Sequence, residues 1–157
     1  MYWVCREGPL RITCCYYAAP AGQGRAGFVA AADVAAVAAR VLVSQGHEGA
    51  TYLVTGPEAL GYADVAARVS AVFGREVGYE DQPPELARDL MLADGLTPWM
   101  ADGNLELFEW IREGGTDTVS AAVREVTGAD PHSVEDWLSK SRARFLSPPP
   151  DLAAPNF

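Results

Sequence analysis

Gly22-Gln-Gly24-Arg-Ala-Gly27 has the spacing G-x-G-x-x-G. Behind a strand and at the mouth of a helix, such glycines bring backbone amides up to a pyrophosphate. Here Pro20 intervenes before Gly22, and Phe28-Val-Ala follows Gly27 before any helix cap. In a chain with 15 glycines a chance match comes easily, so the context predicts a plain turn.

Other chemistries meet similar obstacles. Short-chain reductase chemistry needs Y-x-x-x-K, in which the lysine lowers the tyrosine pKa so that the phenol acts as an acid. Lys140 is the single lysine, and Asp136 stands four residues before it. The nucleophile elbow G-x-S-x-G is absent. His47 and His132 fall in polar, turn-like segments and read as solvent-exposed. Tyr16, Tyr17, His47 and Asp33 are weak candidates for acid–base work. Glu80-Asp81 and Glu135-Asp136 read as strand-end and helix-start charges. Cys5, Cys14 and Cys15 form an odd set without metal spacing and read as reduced thiols. Trp99, Phe108, Trp110 and Trp137 are core or pocket-wall residues, and the first three, with Tyr17, are the candidate substrate-binding residues.

The elements that must position these groups follow from periodicity. Leu10, Ile12, Cys14 and Tyr16 alternate along one side of an extended segment, which predicts a strand over 10–17. A short buried strand is expected at Phe28–Ala30. Asp33 is expected to cap a helix over 33–42 with Val34, Val37, Ala38 and Val41 on its inner face. Thr51–Thr55, bounded by glycines, reads as a second strand. A helix from Gly61 to Phe73, closed by Gly74, and a strand over Val77–Glu80 complete a strand–helix–strand unit long enough for a parallel crossover.

From Pro83 onward the pattern is helical. Leu86, Leu90 and Ala93 form one face of the first helix. Leu105, Leu107, Phe108, Trp110 and Ile111 form a stripe over 98–113, and shorter helices follow at 118–127 and from Ser133 to about Leu146. The tail, residues 147–157, is proline-rich and reads as flexible. The expected fold class is α/β: a partial Rossmann-like arrangement of few strands with a mainly helical rear half.

Composition narrows the partners. The chain has 157 residues, enough for one domain, with 49% apolar and 21% charged residues. Its net charge of −9 repels phosphate backbones, so nucleic acid is excluded as an expected partner. The longest apolar window, 26–43, is broken by Asp33 and Arg40, so no membrane span is expected. The N-terminus shows no signal-peptide core, which points to the cytoplasm.

The block from Thr55 to Asp81, TGPEALGYADVAARVSAVFGREVGYED, resembles the NmrA-like family of atypical short-chain dehydrogenase relatives. The resemblance extends in order through 22–42, 92–115 and 123–138, and so covers nearly all of 8–146. It implies a kinship with NAD(P)H-dependent quinone-reductase-like proteins. In that family an N-terminal Rossmann half holds NAD(P)(H), and a C-terminal half supplies the substrate-side lobe. This chain looks like the C-terminal half only, a single lobe over 1–146. No cofactor-binding residue is then expected in this chain alone, and NAD(P)H would require a partner that supplies the other half. Ala30 and Ala32 stand where the family tends to have charged residues, and Gly61 where it commonly has a serine cap.

A two-stranded remnant would leave open sheet edges. A homodimer, a separate chain, or LRITCCYY folding back is expected to cover them. Three functional classes remain at this level. One is a reductase-family protein. Another is a cofactor-independent lobe that binds an aromatic or quinone-like ligand or does acid–base chemistry. The third is a regulatory or scaffold protein.

Overall fold

The computed structural model describes residues 3–5 and 15–146, with side chains described over 17–142. The expected strand positions at 10–14, the cysteine and Tyr16 side chains, and the 147–157 tail lie outside the described residues.

The sheet is built on β2, Cys15–Ala19, and β5, Val77–Asp81, which run parallel with Tyr17 opposite Tyr79. β1, Trp3–Cys5, pairs antiparallel with the other edge of β2, giving the order β1-β2-β5. LRITCCYY therefore ends in the central strand, and the covering strand is an earlier segment. A second ribbon joins β3, Arg25–Ala26, to β4, Leu60–Gly61.

Thr51–Thr55 and Phe28–Ala30 were expected as strands and form none. Within 51–55, Tyr52 and Val54 pack on Val37, Val123 and Val126, Leu53 points out, and Thr55 is buried. Gly27–Phe28 lies beside its end, with Gly56 N donating to the Gly27 carbonyl at 3.4 Å, but no ladder forms among the described residues. Side chains hold it instead, with Ser120 N donating to Thr55 Oγ1 at 3.0 Å and Ser120 Oγ donating to the Leu53 carbonyl. The parallel crossover consequently starts from β2, not from 51–55.

Six helices cover the strands among the described residues. α1, Ala31–Val43, packs on α5, Ala122–Thr127, through Val37, Val123 and Val126. Val34 is left exposed. α2, Tyr62–Phe73, packs on β5 and on α6, Val134–Leu146, in a cluster of Ala66, Val69, Val77 and Leu138. Ser133 Oγ accepts from the Asp136 amide at 3.0 Å, the cap expected from their spacing. α3, Pro84–Ala93, and α4, Pro98–Arg112, form a hairpin that meets at Ala87, Met91 and Ala101. These include small residues, so the helices approach closely and the larger Leu86 and Leu90 stand out from the seam, against the expected face.

One cap differs from expectation. Ala30, not Asp33, occupies the N-cap of α1, and neither Ala30 nor Gly61 supplies a side-chain cap. Asp64 compensates at α2 by accepting from the Gly61 amide at 2.9 Å. No described helix is long and apolar enough to cross a membrane.

Candidate functional site

β2 and β5 end side by side, and Gln82 N still donates to the Ala19 carbonyl at 3.4 Å after the strands stop. Just beyond these carboxyl ends the α3–α4 hairpin leans over the sheet and encloses a cavity of about 80 Å³. Tyr17 and Ala19 form its floor, Met91 and Leu96 its side, and Phe108 its outer wall. Gln82 and Asn104 are the polar exceptions besides the Tyr17 phenol. At Pro20 and Phe108 the cavity adjoins an open cleft of about 430 Å³, whose walls include Trp110 and whose rim carries Glu106, Glu109 and Glu113.

The floor is rigid because it is an aromatic cluster. Tyr17 stacks on Tyr62 with centroids 5.3 Å apart, and Tyr79, Phe28 and Phe108 surround Tyr62. Tyr79 Oη donates to the Ala19 carbonyl at 2.9 Å, tying the ring to the strand end. Burial pushes the Tyr17 phenol well above its ordinary range and Tyr62 up to about 12. Tyr17 is thus a protonated phenol near neutrality and cannot serve as the base.

Of the four expected substrate-binding residues, the structure brings Tyr17 and Phe108 into one cavity and sets Trp110 on the adjoining cleft. Trp110 is 55% exposed and Trp99 83% exposed. Trp99 lines neither cavity nor core, because it sits in the first turn of α4 on the face turned from α3. Trp137 is 41% exposed, so the three tryptophans with described side chains do not build the core. Sequence reasoning missed Gln82 and Asn104. A polar residue directly after a parallel strand was the available signal for Gln82; nothing local marked Asn104.

The remaining candidates are occupied elsewhere. His47 contacts Tyr52 Oη at 2.7 Å through Nδ1 and Ser44 Oγ at 3.1 Å through Nε2, far from the cavity walls. Asp33 is buried and accepts from both the amide and the ring of His132, at 2.8 and 2.6 Å. That clamp joins the start of α1 to the entry of α6, so Asp33 has a fastening role. Glu135 pairs with Arg68, which also holds Glu58. Asp81 accepts from Gly22 N at 2.9 Å and from Arg112 at 2.6 Å. Among the described residues no group of His, Cys, Asp and Glu could hold a metal ion.

The Gly22–Gly27 loop does not fit a pyrophosphate. Its first amide is given to the Asp81 carboxylate, and Gly24 N donates to the Ala21 carbonyl at 3.0 Å. The side where Gly24 lacks a Cβ is filled by the Ile111 carbonyl, and Gly27 faces Thr55. A carboxylate and backbone oxygens stand where phosphate oxygens would need donors. The loop is a turn packed on α4.

With the geometry in place, likeness to known proteins becomes informative. No family model matches the chain. It is 36% identical over 126 residues to an NAD(P)H azoreductase of Xenophilus azovorans, a match covering 80% of this chain and 44% of that protein. It is 35% identical over 113 residues to a (4-alkanoyl-5-oxo-2,5-dihydrofuran-3-yl)methyl phosphate reductase of Streptomyces griseus, covering 72% and 40%. An NADPH-dependent quinone oxidoreductase structure from Escherichia coli superposes with a TM-score of 0.72 at 26% identity, covering 80% of this chain and 46% of that one. The fold is α/β, of the Rossmann-like reductase kind. The chain spans less than half the length of these relatives.

A pH dependence arises from the ion pairs of this framework. Hydrogen bonding from Arg68 holds Glu58 below its ordinary 4.5, and Ser133 holds Asp136 below 3.8. Arg88 and Arg124 do the same for Asp102 and Asp130. Depressed carboxylates contribute stability that is fully present above their unfolded values and lost as pH falls through the folded ones. The melting temperature is therefore expected to start falling below about pH 4.5 and to keep falling at lower pH. A melting temperature unchanged between about pH 5 and about pH 3 would contradict these pairings.

Proposed function

We propose that this chain is the substrate-side lobe of an NAD(P)H-dependent oxidoreductase of the NmrA-like kind, and that it takes a planar aromatic electron acceptor. One observation carries the reading: the cavity lies outside the carboxyl ends of the parallel β2–β5 pair, the place where open α/β sheets bind ligands. Its walls are apolar and aromatic with a few convergent polar groups, the make-up of a small-molecule site. The azoreductase and the quinone oxidoreductase among its relatives agree with an acceptor of that class.

Tyr17 and Phe108 contact the ligand's inner end, and Trp110 flanks the part that remains in the outer cleft. The three glutamates of the cleft outnumber Arg112, which is paired with Asp81, and so disfavour anionic acceptors such as sulfonated dyes. The nicotinamide coenzyme supplies hydride when it is bound, and a partner carrying a nucleotide-binding half holds it, since the Gly22–Gly27 turn does not.

Calorimetry with 1,4-naphthoquinone and with NADPH tests this division. The chain alone is expected to bind the quinone at micromolar level and NADPH no tighter than about millimolar, a scale of about 4 kcal/mol. Phe108→Ala, which removes the wall between cavity and cleft, is expected to weaken quinone binding about tenfold. Tight NADPH binding without quinone binding would overturn the proposal.

A further inference from the structure

Gln82 is a buried polar residue that nothing in the fold uses. It is 7% exposed, yet its carboxamide has no hydrogen-bond partner among the described residues; only its backbone amide is engaged, with Ala19. No fully enclosed side-chain nitrogen or oxygen among the described residues lacks a partner. The Gln82 carboxamide therefore keeps its residual exposure on the cavity side, which it lines. Open to the cavity, the amide can meet solvent or a ligand oxygen there.

Asn104, which also lines the cavity, is half committed. Its Nδ2 donates to the Met100 carbonyl at 2.7 Å, so Oδ1 is left to accept. Gln82 thus offers a donor and Asn104 an acceptor on the lining of one small chamber.

Size decides what part of a ligand enters. A cavity of about 150 Å³ can hold benzene. The inner chamber, at about 80 Å³, is tighter than that, and the outer cleft of about 430 Å³ is much roomier. A ring system lying along Phe108 and Trp110 can send a small polar substituent into the chamber.

We propose that Gln82 is the specificity-determining residue of this cavity: it donates from Nε2 to a carbonyl oxygen projecting from an aromatic ring, as in a quinone or ring ketone. Asn104 Oδ1 accepts from the hydroxyl that replaces the carbonyl in the reduced compound, so both oxidation states are held. This inference rests on the cavity being the ligand site.

Equilibrium dialysis of the full chain with 1,4-naphthoquinone and with naphthalene separates the two ideas. The wild type is expected to bind the quinone at least about tenfold more tightly than naphthalene. Gln82→Met keeps the side chain's length and removes the donor. It is expected to erase that preference, leave naphthalene binding unchanged, and leave the melting temperature unchanged or higher. Equal wild-type affinity for both compounds, or a preference that survives Gln82→Met, overturns the role of Gln82 while the ligand site stands. Binding of neither compound overturns the site and this inference together. Should Gln82→Met lose naphthalene as well, Gln82 is a packing residue and the proposal fails. A second variant, Gln82→Leu, repeats the comparison if the methionine variant does not fold.

Discussion

Gly24→Ala is expected to destabilise the protein by about 3 kcal/mol or more, lowering the melting temperature by roughly 6–12 °C for a domain of this size. The reason is local and rigid. A Cβ at this position would overlap the carbonyl of Ile111, and the next nearest atoms are the Ile111 carbonyl carbon and the Arg112 amide nitrogen. Backbone in the last turn of α4 cannot step aside as a side-chain tip could. Gly24 is in turn anchored between the Ala21 carbonyl and the β3–β4 ribbon. Relief would have to move α4, and with it Phe108 and the cavity wall. Thermal denaturation checks the expectation. A variant as stable as wild type would mean that the turn is not packed as described, and would reopen the glycine triplet to a ligand.

Asp33→Ala has the second large expected effect, about 3 kcal/mol. Asp33 is 5% exposed and satisfies two donors of a residue 99 positions away. It also stands in the first turn of α1, where the helix N-terminus favours a negative charge. Its removal leaves the His132 amide without its partner and frees the segment that leads into α6. His132→Ala is expected to cost less, because the backbone amide still meets the carboxylate. A double-mutant cycle measured by urea denaturation should give a coupling of about 1–2 kcal/mol between the two side chains. Additive effects would show that the clamp does not hold α1 to the α6 entry.

These two residues also mark what could and could not be read from the chain. The helices over 62–73, 84–93, 98–112 and 134–146 follow from apolar spacing, prolines at two of their starts and glycines just past three of their ends. The β-rich composition of 51–55 between glycines marked an extended segment, but not its pairing. Strand formation depends on a ladder partner, however, and pattern alone cannot supply one. Asp33 carried the signature of a helix cap, and only the chain's return at His132 made it a buried anchor. The glycine triplet was legible as a turn because its surroundings lacked the strand and helix that phosphate binding needs.

The cavity was partly legible. Tyr17 and Phe108 were recognisable as aromatic residues in the right segments, but tryptophan content misled. Trp99 lies on the outward face of α4, where size and apolarity do not imply burial. Gln82 and Asn104 become visible only when β5, α3 and α4 are assembled, since their role is a shared wall and no spacing encodes it. Likewise the parallel pairing of β2 with β5 joins segments separated by two helices and a ribbon.

The central claim is that an aromatic acceptor sits over the carboxyl ends of β2 and β5, under the α3–α4 hairpin. Heteronuclear NMR titration of the labelled chain with 1,4-naphthoquinone tests it most directly. The account predicts saturable shifts grouped at Tyr17, Ala19, Gln82, Met91 and Phe108, with Gly24, Gly27 and Asp33 unmoved. Shifts centred on the 22–27 turn or on the Asp33–His132 clamp, or none at saturating quinone, would contradict it.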